Sequence, residues 1–211
     1  MEIYWFDELE STQLYLIEAL KQKRLKAPVA VVARRQYGGI GSRGSRWIGH
    51  EGNLHLSLAL PVDVLPSDLP LASVAIYAAM GVKEILARYH ANCWVKWPND
   101  IYQDDKKVGG IIINLFDNTI VAGIGLNLAY APENFDRVDI PVSIELLVDS
   151  LVTWWGERHS WKEIFSSFSV EFEKSRRFSV HCDGGIHLLK DASLNEDGSL
   201  TISGKRVTSG R

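Results

Sequence analysis

Two stretches of the chain concentrate residue types that do chemistry. From Arg34 to Trp47 there are four arginines, four glycines and no acidic residue, inside a protein whose formal charge is −3. Glycines let backbone amides approach an oxyanion and guanidinium groups clamp phosphate bidentately, so "GGIGSRGSRW" at 38 to 47 suits an anionic ligand. The second stretch, "KWPNDIYQDDKKVGGIIIN" at 96 to 114, packs a strand end, a Pro-Asn-Asp turn, two adjacent lysines and a glycine pair into one unit. Asp100 beside Asn99 at a strand end can orient a nucleophile or share a metal, and Lys107 precedes backbone lean enough for a ligand to press against. Each stretch also has a plainer reading, the first as a solvated hairpin loop, the second as turns with solvated lysines.

The flanking elements narrow the chemistry. Gly39, Gly41 and Gly44 stand in the G-x-G-x-x-G spacing of dinucleotide sites, which requires a strand, a tight turn and then a helix at once. Before the loop, "PVAVVAR" reads as a strand buried on both faces. After it, "NLHLSLAL" at 53 to 60 alternates as a second strand. No helix follows the loop, and Ala59 and Leu60 stand about twenty positions on where an acidic residue would be needed, so a nicotinamide oxidoreductase is disfavoured.

Elsewhere "IYWF" reads as a strand, with Ser11 or Thr12 capping a helix over "QLYLIEALKQKR". "DLPLASVAIYAAMGVKEILARYH" has the length and composition of a mostly buried helix with Asp68 near its start and Pro70 in its first turn. "CWVKW" is a strand stopped by Pro98. "KVGGIIINLF" and "TIVAGIGLNLAY" are strands joined by a tight "FDN" hairpin. Residues from about 143 to 178 read as two helices broken at "GERH", with Ser160 an N-cap. After Phe178 come short β-like runs with a hairpin signal at Asp197-Gly198. The pattern predicts an α+β protein, a mixed β-sheet flanked by helices, with a main domain over 1–178 and a small β subdomain over 179–211 that leans on it.

Composition bounds the rest. A chain of 211 residues supports one main core, and a charge of −3 gives no global attraction to nucleic acid. Cys93 and Cys182 lie too far apart for a C-x-x-C site and read as small buried hydrophobes. No apolar run approaches a membrane span and "MEIYWFDELE" is acidic where a signal peptide would be basic, which predicts a cytoplasmic protein with no membrane partner. "HEGNLH" has one residue too many for the zinc motif H-E-x-x-H, so His50 and His55 are not expected to bind metal. Trp154, Trp155 and Trp161 read as helix packing.

Taken together, the chain resembles the biotin protein ligases in their short form. Four blocks stand in that family's order: "EST" at 10 to 12, the glycine-arginine loop ending in Trp47, "KWPND" with "KKVGG" at 96 to 110, and "GIGLN" at 123 to 127. The resemblance implies the catalytic fold of biotin and lipoate ligases, related to class II synthetases, with a reduced SH3-like C-terminal subdomain. It implies a two-step reaction in which biotin and ATP, with magnesium, give biotinyl-adenylate, whose biotin is then transferred to one lysine of the biotin carboxyl carrier domain of acetyl-CoA carboxylase or a related carboxylase.

Carried over by position, Lys107, Asp100 and Arg43 would be catalytic, Asp100 by orienting the acceptor lysine. Ser11, Thr12, Gln36, Gly39, Gly41, Trp47, Lys107, Gly110 and Gly123 would hold biotin. Arg43, Arg46, Trp47, Asn99 and Asn127 would meet the nucleotide, with magnesium arriving on ATP near Asn127 rather than in a protein-only site. Where the family's loop commonly carries further arginines this chain has Ile40, Ser42 and Ser45, which implies fewer guanidinium contacts and faster escape of the adenylate. The chain opens on the catalytic domain's first strand, so neither a helix-turn-helix nor DNA binding is expected. A lipoate ligase or octanoyl transferase is the nearest rival and a noncatalytic nucleic-acid module the remote one. The acceptor carboxylase, and whether a homodimer forms, stay open at the level of sequence.

Overall fold

The structure is a computed structural model that describes residues 1–42, 45–182 and 185–208. Its first unit is a strand, helix, strand crossover: β1 (Glu2–Leu9), α1 (Thr12–Lys21) and β2 (Val29–Gln36), with β1 and β2 adjacent and parallel. Ser11 caps α1, its hydroxyl facing the Leu14 N–H at 3.5 Å. The crossover brings the "EST" block and Gln36 to the same end of the sheet, because both follow or close parallel strands that run the same way.

All further pairs in the main sheet are antiparallel. β3 (Leu54–Pro61), β4 (Cys93–Lys96), β5 (Asp100–Gln103), β6 (Lys106–Phe116) and β7 (Thr119–Leu126) complete seven strands in the order β1-β2-β3-β7-β6-β5-β4. The mixed sheet and the central strands are as the sequence pattern predicts. β5 is the exception, because "DIYQ" is short and half polar and reads as part of a turn until β4 and β6 pair with both of its edges.

Alternation along the central strands sends side chains to two faces. Leu54, Leu56 and Leu58 join the large core against α2 (Val74–Arg88), α3 (Ile144–Glu157) and α4 (Trp161–Ser175). Val29, Val31, Ala59 and Val121 pack with Leu16 of α1 on the other face. The site lies on this second, thinner face, where one helix leaves part of the sheet uncovered.

Helix ends are fixed by side chains. Ser160 and Glu163 form a reciprocal capping box at α4, as its sequence position suggests. Asp68 corrects the sequence reading: α2 begins later, at Val74, and the Asp68 carboxylate instead accepts the Trp161 and Lys162 N–H groups at 3.0 and 3.1 Å, adding to the cap of α4. Trp154 and Trp155 are buried packing residues with rings edge-on at 5.8 Å, and Gly81 leaves room for the Trp154 ring between α2 and α3.

The sheet edge at β4 is closed by α4, whose Glu171 and Ser175 side chains accept the Val95 and Trp97 N–H groups at 3.0 and 3.2 Å. Beyond α4 come the hairpin β8 (Ser179–Cys182) and β9 (Gly185–Leu188), then a small sheet of β10 (Ser193–Leu194), β11 (Leu200–Ile202) and β12 (Lys205–Val207). Leu189, Leu200 and Ile202 are continuous with the large core. The indole N–H groups of Trp97 and Trp161 donate to the carbonyls of Gly198 and Glu196 at 2.8 and 2.9 Å, tying the Asp197-Gly198 turn to the main body. Cys93 is buried, and the Cys182 side chain lies outside the described set.

Candidate active site

A cleft opens over β3, β7 and β6 on the α1 face. One end is polar and built by the crossover unit. Gln36 Oε1 accepts the Thr12 N–H at 2.7 Å, and Thr12 Oγ1 and Ser57 Oγ share a hydrogen bond of 2.9 Å. Ser11, Thr12 and Gln36 are all buried there, so these oxygens are held in place before any ligand arrives.

Glycines make the floor. A Cβ on Gly123 would stand 2.7 Å from Gln13 Oε1, and one on Gly125 would stand 2.6 Å from the Trp47 indole, so neither close approach survives a side chain. The loop after β2 folds back over this floor. Gln36 bridges to Gly49, Ile40 to Arg46, and Trp47 N–H donates to the Gly39 carbonyl at 2.8 Å, which makes the described part of the glycine-arginine loop a small lid with Trp47 tucked beneath it. Ile40, Ser42, Ser45 and Arg46 line the cleft; Arg43 and Gly44 lie outside the described residues.

The other end is charged. The hairpin of β5 and β6 sets Lys107 Nζ 2.6 Å from Asp100 Oδ1, with side-chain exposures of 24% and 18%, low enough to strengthen the pair and high enough to admit a ligand. A register shift between Ile101 and Tyr102 bends this hairpin just where the two residues meet. Gly110 lies opposite Asp100, and a Cβ there would press to 3.2 Å from the ammonium. Asn99 is pinned by donating to the Ile111 carbonyl at 2.6 Å. Nearby, burial lowers the Lys96 pKa, against the opposing pull of Asp100, and its ammonium rests over the Tyr102 and Phe178 rings at 5.6 and 5.4 Å.

The cleft therefore gathers Ser11, Thr12, Gln36, Gly41, Arg46, Trp47, Asn99, Asp100, Lys107, Gly110 and Gly123 from the sequence-derived set. Gly39 sits behind the wall, supporting Trp47. Asn127 is not in the main cleft: buried, it donates to the Asp136 carbonyl at 3.1 Å and lines an adjoining hollow shared with Arg46, Trp47 and Phe135. In the C-terminal sheet Arg206 is engaged locally by Asp197 and Ser199. Among the described residues no three His, Cys, Asp or Glu side chains converge as metal ligands, and no helix is long and apolar enough to cross a membrane.

Sequence reasoning missed several cleft residues, Gln13, His55 and Ser57 among them. Among the described residues, three buried side-chain atoms have no hydrogen-bond partner, Gln13 Oε1, Trp47 Nε1 and His55 Nε2, and all three residues line this cleft. Gln13 is oriented by its own amide, which donates to Asn114 Oδ1 at 3.0 Å and to the Val121 carbonyl at 2.8 Å and leaves Oε1 over Gly123. Unsatisfied buried polar atoms cost stability, so three in one cleft mark a surface shaped for a polar ligand. The signal for Gln13 was its place directly after "EST"; His55 gave none beyond its position on a strand.

A polar pocket beside a lysine-aspartate pair, with the glycine-arginine loop over it, lies on the single-helix face of a mixed sheet. The model of the biotin/lipoate A/B protein ligase family matches residues 5–129, and the chain belongs to that family. It is 34% identical over 130 residues to the bifunctional ligase/repressor BirA of Escherichia coli, an alignment covering 57% of this chain and 39% of that protein, so the chain spans well under half of that relative's length.

Among solved structures it is similar to the biotin acetyl coenzyme A carboxylase synthetase of Helicobacter pylori with bound biotinylated ATP. That match has 41% identity and a TM-score of 0.92, over 100% of this chain and 99% of that one. It is also similar to the biotin protein ligase of Aquifex aeolicus in complex with biotin and ATP, with 25% identity, a TM-score of 0.80 and coverage of 99% and 96%.

Proposed function

We propose that this protein is an ATP-dependent biotin protein ligase of the cytoplasm, acting on the biotin carboxyl carrier domain of acetyl-CoA carboxylase or a related carboxylase. The observation that carries the reading is one cleft joining a buried hydrogen-bonding end to the Lys107-Asp100 pair. A bicyclic urea with a carboxylate on a short chain has those same two ends.

In the first half-reaction the biotin carboxylate attacks the α-phosphorus of ATP and pyrophosphate leaves. Two anions must meet, and Lys107 offsets their repulsion while charge develops at phosphorus. Ser11, Thr12, Gln13 and Gln36 hold the ureido head, Trp47 and Gly123 shape the slot, and Gly39, Gly41 and Arg46 belong to the lid; the role of Arg43 is carried by the family resemblance alone. Asn99 and Asn127 lie toward the nucleotide. Magnesium, which supplies charge neutralisation on the phosphates, would be held chiefly by them, with Asn127 the nearest candidate from the protein. In the second half-reaction the acceptor ε-amine attacks the adenylate carbonyl carbon and AMP leaves; Asp100 orients that amine and takes up its proton.

A ligand that binds only the folded state raises the melting temperature by mass action. Biotin plus ATP should stabilise the protein by several degrees while lipoate plus ATP leaves it unchanged, read by thermal shift. The reverse pattern would favour a lipoate ligase.

A further inference from the structure

We infer that His55 is a specificity-determining residue of the cleft, its Nε2 accepting one ureido N–H of biotin. The inference rests on the biotin reading above and deepens it.

His55 lies near the start of β3, just past the last registered pair with β2, Val32 with Leu56. Where that ladder stops, its ring reaches across and places Nδ1 3.2 Å from the Ala33 carbonyl oxygen. A carbonyl only accepts, so Nδ1 carries the hydrogen and a neutral ring presents Nε2 as a bare lone pair. Burial keeps the ring neutral, lowering its pKa to about 4 against the opposing Ala33 hydrogen bond, with a smaller push from nearby His50 in the same direction as burial.

The side chain is 1% exposed and lines the cleft on the same strand face as Ser57. Across from it is Gly125, where an added Cβ would stand 2.6 Å from the Trp47 indole. A buried lone pair with no protein donor needs one from the ligand. A carboxylate offers only further lone pairs, and the dithiolane of lipoate and a plain acyl chain offer no N–H. A cyclic urea offers two. A site that would leave a buried acceptor unpaired discriminates against ligands lacking the matching donor.

The test is calorimetric titration of the full chain with biotin alone, without ATP, comparing wild type, His55→Phe and His55→Gln. The same proteins are titrated with biotin methylated at one or the other ureido nitrogen. His55→Phe should weaken biotin by about tenfold or more, and His55→Gln, which can place an amide oxygen near Nε2, should restore most of the loss. Methylation of one ureido nitrogen should cost wild type a large factor and His55→Phe a much smaller one.

Unchanged biotin affinity in His55→Phe, equal methylation penalties in both proteins, or a loss that appears only when ATP is added would overturn the assignment while leaving the biotin reading in place. Absence of any biotin binding by wild type would overturn both. Should His55→Phe fail to fold, wild type alone decides: equal affinity for biotin and both methylated forms refutes the assignment.

Discussion

Lys107 and Asp100 form a close pair at 2.6 Å on one β-hairpin, where neither side chain supports the core. Replacing Lys107 with Ala should therefore cut adenylate formation by about a thousandfold, the scale of losing a preorganised transition-state donor. The melting temperature should stay within about 4 °C of wild type, since the core is untouched. Pyrophosphate release and a thermal melt read the two effects separately. His55 makes a second residue-level prediction. Its native ring stays neutral down to about pH 4 while the unfolded ring takes a proton below about 6.5, so the unfolded state binds more protons in that window. Stability should fall as pH drops from about 6.5 to 4, by up to about 3 kcal/mol, and urea titrations should show a shallower fall in His55→Gln. Lys107 and Asp100 were legible because charged residues, a proline turn and a glycine pair crowd one stretch. His55 was not, because alternation says only which face it takes, and its orphan nitrogen exists only through the place where β2 and β3 part.

At the scale of elements, the site depends on how β4, β5 and β6 are held. α4 closes the β4 edge through Glu171, which accepts the Val95 N–H and also pairs with Lys83 at 2.5 Å. Glu171→Ala would leave a buried N–H unpaired and Lys83 without its partner, so stability should fall by about 2–4 kcal/mol; an equilibrium urea curve measures it, and a loss below about 0.5 kcal/mol would show the edge needs no such closure. Most elements could be read from periodicity and capping: β2, β3, β6, β7, α3 and α4 stand where apolar pattern and turn residues put them. β5 and the role of Asp68 could not. The first is polar and short and owes its extended form to strands on both sides, and the second caps a helix more than ninety residues away, a contact that no local pattern encodes.

At the scale of the molecule, the described C-terminal strands share the larger core of the main sheet. Leu189, Leu200 and Ile202 from the last strands join the core that underlies the seven-stranded sheet, and two tryptophan N–H groups fasten the turn at Asp197-Gly198. The opposite face of that sheet is left to one helix and the lid, and there the crossover's polar end and the hairpin's charged end meet in one cleft. The described part of "GGIGSRGSRW" is the lid of that assembly, with Gly39 in close approach to the Trp47 carbonyl and Ile40, Ser42 and Ser45 lining the cleft. The proposed ligase activity requires both ends to act together on one substrate. The direct measurement incubates the protein with biotin, ATP, magnesium and a biotin carrier domain and determines the carrier's mass. One added biotin on a single lysine, dependent on ATP, is the predicted result; an unmodified carrier, or modification by lipoate and not by biotin, would contradict it.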